Sequence, residues 1–148
     1  MVFATPKTKR TRTSRIAVLT AASLIASSVA SAACGTLDAL DDVVEKRAGP
    51  QGWNCSGILT LSGADGAVCY QAFDFRDAAA NELAQVIWGE IKECRDGSAM
   101  PQDAQVNHPD SYDLRAWTSG DRIYSVSVKD KGALRKTFVF LRRMPNTN

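Results

Sequence analysis

Asp77-Ala-Ala-Ala-Asn-Glu-Leu-Ala-Gln-Val-Ile-Trp-Gly-Glu-Ile-Lys-Glu-Cys94 decides the fold. Ala80, Leu83, Ala84, Ile87, Ile91 and Cys94 recur at helical spacing and form one apolar stripe, while Asn81, Glu82, Gln85, Glu90, Lys92 and Glu93 fall elsewhere. Asp77 has the side chain of an N-cap, and Asp96-Gly97 supplies the stop. The spacing therefore predicts a long amphipathic helix over Ala78–Cys94, with Trp88 at the edge of its core-facing stripe and Glu90 and Glu93 on its solvated side.

Strand signals lie on both sides of this helix. Upstream, Ser56–Ser62 and Ala67–Phe75 flank Gly63-Ala-Asp-Gly66, whose Asp-Gly pair tolerates the positive φ that hairpins need. Downstream, Tyr112–Trp117, Arg122–Lys129 and Leu134–Arg142 are separated by the turn sequences at 118–121 and 130–132. The last of these is apolar on both faces, as a doubly covered strand or one that meets a partner would be. Before the hairpin, Leu37, Leu40, Val43 and Val44 mark a shorter helix over Thr36–Arg47, with Asp38, Asp41, Asp42 and Glu45 on its other side. Residues 97–111 read as a polar loop. The expected order is α-β-β-α-β-β-β. Its simplest packing is an α+β, two-layer domain, an antiparallel sheet with the one long helix packed on a face.

The first 33 residues do not belong to that domain. Lys7, Lys9, Arg10, Arg12 and Arg15 form a basic head without an acid, and an apolar run follows from Ile16 to Ala30. Ala30-Ser31-Ala32-Ala33 then offers cleavage after Ala32 or Ala33. This is the layout of a secretory signal peptide, and the run is short for a span of about 20 residues. The expected organisation is a signal over 1–33 and a single domain over 34–148, exported to the periplasm or beyond. The leader holds 5 of the 18 basic residues and none of the 16 acids, so 13 against 16 remain, a net −3. The basic balance of the whole chain is thus no argument for nucleic acid, and no nucleic-acid partner is expected.

All four cysteines follow the leader: Cys34, Cys55, Cys69 and Cys94. Export makes them disulfide partners. A helix running back along the strand that carries Cys69 would bring Cys94 beside it, which predicts Cys69–Cys94 and leaves Cys34–Cys55. The rival pairing is Cys55–Cys94 with Cys34–Cys69. The chain has no C-x-x-C and a single histidine, His108, so neither a zinc site nor a thiol redox centre is expected, and no cofactor is implied.

His108-Pro-Asp110 matches the tripeptide of J-domain co-chaperones, but strands follow it and a polar loop precedes it, so the match has no structural context. His108 with Asp110 or Asp113 could serve as a general base for Ser111 or Ser119, which gives a small hydrolase as one alternative. A lipoprotein modified at Cys34 is another. The feature that points furthest is basic. Lys129, Lys131, Arg135 and Lys136 crowd one hairpin, and Arg142 and Arg143 end the last strand. Such a cluster either protects a sheet edge or binds an anionic partner. The leading expectation is an exported, non-enzymatic binding protein, inhibitor-like or immunity-like, whose partner is another protein or an anionic component of the envelope.

Overall fold

The computed structural model describes residues 34–46, 48–60, 63, 65–102 and 112–147. The expected signal peptide over residues 1–33 and the segment with His108, Asp110 and Ser111 lie outside these. Helices α1 (Gly35–Asp41) and α2 (Val43–Lys46) come first, then strands β1 (Asn54–Leu59) and β2 (Asp65–Asp74). Helix α3 (Ala78–Cys94) follows, then β3 (Ser98–Ala99), β4 (Tyr112–Ser119), β5 (Arg122–Lys131) and β6 (Lys136–Pro145). A short 3₁₀ turn over Gly132–Leu134 joins the last two.

The strands form one antiparallel sheet in the order β1-β2-β6-β5-β4-β3, and α3 rests on β5, β6 and β4. The chain is thus α+β with a helix on an antiparallel sheet, but the element order differs from the expected one in two places. The expected first helix is two pieces. In a continuous helix the Asp41 carbonyl would take the Glu45 N–H; here Arg143 Nη1 donates to that carbonyl at 3.3 Å. The polar loop also contains an unforeseen strand. Ser98 and Ala99 pair with Thr118 and Trp117, and Met100 N–H adds a bond of 2.9 Å to the Ala116 carbonyl. Gly97 makes this approach possible: a Cβ there would collide with the Thr118 carbonyl oxygen, and its φ of +154° suits glycine.

The helix forms as its sequence dictates. Asp77 Oδ1 accepts from Ala79 N–H at 3.0 Å, capping the first turn. Ala80, Ile87 and Ile91 are buried, and they meet Ala67, Cys69, Tyr124, Val126, Val139 and Leu141 from the sheet, with Leu37, Leu40 and Val43 closing the end. Trp88 packs against this core, edge-on to Trp117 with ring centroids 5.9 Å apart.

The disulfides correct the expected pairing. All four cysteines are bridged, but as Cys34–Cys94 and Cys55–Cys69, neither Cys69–Cys94 with Cys34–Cys55 nor its rival. Two physical reasons account for this. Because α3 crosses β6 and β5 instead of retracing β2, its C-terminus arrives at the start of α1. The hairpin register then sets Cys55 directly opposite Cys69, with Cα atoms 4.0 Å apart. The expected turn over Gly63–Gly66 lies too far along the chain, since Asp65 and Gly66 already belong to β2 and Leu59 faces Asp65. Gly49 completes the site, since a Cβ there would strike Cys55 Sγ. Cys34 has its sulfur bonded to Cys94, so it offers no thiol for a lipid in this structure.

Candidate binding face

Successive residues of a strand point to opposite faces, and here the two faces differ sharply. The helix side holds Cys69, Tyr124, Val126, Val139, Leu141 and Arg143 among others. On the other side stand the alternate residues, Val68 and Tyr70 of β2, Phe138, Phe140, Arg142 and Met144 of β6, and Ile123, Ser125, Ser127 and Lys129 of β5. Tyr112, Leu114 and Ala116 of β4 extend that surface. None of the described helices packs on it.

This open face is aromatic at one end. Tyr70, Phe138 and Phe140 lie in mutual contact with centroids 5.9 to 6.1 Å apart, and cross-strand register places Tyr70 opposite Phe140. Cations are interleaved with the rings: the Arg142 guanidinium lies 5.5 Å from the Phe140 centroid and Lys129 Nζ 5.2 Å from that of Tyr112. At the other end is a groove of about 420 Å³. Ile58, Val68, Met100 and Leu114 line it with Ala116, Ile123 and Met144, and Ser125 and Arg142 add its polar groups. Ile58 is on one edge strand and Met100 follows the other, so the face is concave across the strands.

The expected basic residues separate by position. Lys129, Lys131, Lys136 and Arg142 share the open face by strand alternation. Lys136 is paired there with Asp74 at 2.7 Å; that hydrogen bond, with the lysine's charge, holds the Asp74 carboxyl below its usual pKa. Arg135 occupies the turn before β6 in a left-handed conformation, φ 47°, and is exposed. Arg143 does not join the group. It points to the helix side, its side chain is only 10% exposed, and its guanidinium is 3.7 Å from Asp41 Oδ1.

Asp41 is the centre of a second cluster that sequence patterns did not reveal. Tyr124 Oη donates to its carboxylate at 3.0 and 3.1 Å, Arg95 Nη2 lies at 3.1 Å and Arg122 Nη1 at 3.4 Å. Arg95 also reaches Asp38 at 3.0 Å. Burial works against the Arg95 charge, and the hydrogen bond to Asp38, with Tyr124 and Asp41, outweighs it, so its pKa lies above the ordinary value. Three guanidinium groups and a phenol thus tie α1 to β5, β6 and the end of α3. The carboxylates at the centre already satisfy these donors, so the cluster reads as a fastening between elements.

Glu90 differs from its expected place on the solvated side. Its Oε1 accepts from Thr36 N–H at 2.9 Å and Leu37 N–H at 3.0 Å, so α3 caps the first turn of α1 from outside. Among the described residues no group of three or more His, Cys, Asp or Glu could hold a metal ion, and no helix is long and apolar enough to cross a membrane.

No protein-family model matches the chain, and none of the curated proteins matches it in sequence. A solved structure, that of CalU16 from Micromonospora echinospora, overlaps 64% of this chain and 68% of its own at 13% identity with a TM-score of 0.31, a likeness too low to carry any argument about fold or function.

Proposed function

We propose that this chain is an exported, non-enzymatic binding protein that captures an anionic, partly apolar partner on its open sheet face. One observation carries the reading. A sheet face rich in Phe, Tyr, Ile, Leu and Met has no described helix over it, and among the described residues four cations, Lys129, Lys131, Lys136 and Arg142, stand on it against one acid, Asp74. Apolar surface of this kind is what a protein retains for a partner, and the excess of cations selects the sign of that partner. Edge protection does not account for these cations, because β5 and β6 are inner strands of the sheet. Two disulfides favour an oxidising compartment, in keeping with the leader over residues 1–33.

The experiment is affinity capture from an envelope fraction with the oxidised protein, followed by titration with the purified partner. The Lys129→Glu/Arg142→Glu variant should lose the partner, and binding to the native chain should fall as salt rises. Lys92→Glu, a charge reversal on exposed α3, is the control and should bind normally. A partner held equally well by the face variant would refute the reading.

A further inference from the structure

Arg142 differs from most arginines of the fold. Arg76, Arg95, Arg115, Arg122 and Arg143 all sit within 4.0 Å of a carboxylate. Arg142 is exposed, has no carboxylate partner among the described residues, and is held over the Phe140 ring. Among the described residues that line the groove, it is one of two with a hydrogen-bonding side chain, and the other seven are apolar. A guanidinium anchored by an aromatic ring, with no hydrogen-bond partner among the described residues, is preorganised for a carboxylate or phosphate.

The groove's walls decide between the chemistries that could bring such a group. A peptide laid in it would withdraw its own N–H and C=O groups from water and, among the described lining residues, find Ser125 and Arg142 alone to replace them, since the strand amides beneath are already paired in the sheet. An alkyl chain has no such groups to satisfy. A second copy of this chain would bring the same four cations against these and be repelled. The volume of about 420 Å³ is within the range of small-ligand sites, roughly 300–1,000 Å³, and the thioethers of Met100 and Met144 adapt readily to a flexible chain.

We propose that the groove binds an anionic amphiphile, a single alkyl chain with a carboxylate or phosphate head, the chain lying between Val68, Leu114 and Ile123 and the head on Arg142. This rests on the open face being the binding surface and narrows its ligand class. Calorimetric titration of the oxidised protein with dodecanoate and dodecyl phosphate, both below micelle formation, tests it. Dodecyl maltoside, dodecyltrimethylammonium and inorganic phosphate isolate the contributions of chain and head. Saturable binding of both anionic amphiphiles, about tenfold or more tighter than of the neutral, cationic or chainless probes, is expected. Arg142→Gln should weaken it about tenfold with an unchanged melting temperature, and Arg142→Lys should recover part of the loss. Equal binding of the neutral probe, or undiminished binding by Arg142→Gln, overturns the proposal. So does association with anionic phospholipid vesicles without uptake of either monomer, which would identify a membrane surface as the source of the head group. If an acidic protein is lost by the Lys129→Glu/Arg142→Glu variant while no amphiphile binds, this inference falls and the binding-face reading stands. If neither class responds to the face variants, both fall.

Discussion

Replacing Asp41 by alanine probes the fastening of α1 to the sheet. The carboxylate is 23% exposed, and it meets the phenol of Tyr124, a residue only 2% exposed, and the guanidinium of Arg143, 10% exposed. Removing it leaves the Tyr124 hydroxyl without its acceptor, worth about 1.5–3 kcal/mol for a hydrogen bond to a charged group. Arg143 keeps the Asp41 main-chain carbonyl at 3.3 Å but loses its countercharge, about 1 kcal/mol more after allowing for solvent at the carboxylate. Arg95 retains Asp38 and the Cys94 carbonyl, and Arg122 is exposed enough to be solvated, so neither adds much. The expected loss is about 3 kcal/mol, a large part of the roughly 5–15 kcal/mol that holds a domain together. Urea unfolding of the oxidised protein, followed by tryptophan fluorescence, should show a lower midpoint with an unchanged slope. Asp41→Asn keeps an acceptor for Tyr124 and should lose about half as much. Tyr124→Phe combined with Asp41→Ala should cost less than the two single losses summed, because both remove one hydrogen bond. A loss below about 0.5 kcal/mol for Asp41→Ala would refute the reasoning, since that is the scale of a solvated surface pair.

Three further outcomes follow from the same geometry. The Cys34–Cys94 bridge closes 60 residues and Cys55–Cys69 closes 14; on loop entropy, paired serine replacements should cost about 4 and about 3 kcal/mol respectively, so the first variant should melt lower. Non-reducing peptide mapping would reveal the pairs directly. Glu90→Ala should cost about 1 kcal/mol through the uncapped N–H groups of Thr36 and Leu37, with Glu90→Gln between it and the native chain. The Asp74 carboxyl should titrate below the usual carboxylate range by carbon-13 NMR and return to it in Lys136→Gln. Because that pKa is depressed, the pair's stabilisation is present above the ordinary aspartate value and is lost as pH falls through the lowered one.

Much of the fold is legible in local pattern. Helix α3 could be bounded from Asp77 and the Ala80–Ile91 stripe because capping and periodicity agree there. Strands β4 to β6 could be placed between their turns. The hairpin register could not, because Gly63-Ala-Asp-Gly66 is good turn chemistry set off-centre from the actual loop, and the error displaced Cys55 from Cys69. The helix crossing was equally hidden: nothing local to Asp77–Cys94 says which strands it rests on, and that choice sends Cys94 to Cys34. One signal for the face was readable. Arg142 and Arg143 are adjacent in a strand and must point to opposite sides, so they cannot serve one surface. The Asp41 cluster unites residues up to 102 positions apart and has no sequence signature.

The most direct measurement of the central claim is methyl NMR of the oxidised protein with its ligand. Ile58, Ile123, Met100 and Met144 report on the open face, and Ile87 and Ile91 on the helix side. Shifts at the first four, with Ile87 and Ile91 unmoved, are the predicted result. Shifts at Ile87 and Ile91 with the open-face methyls silent would place the partner elsewhere and contradict the account.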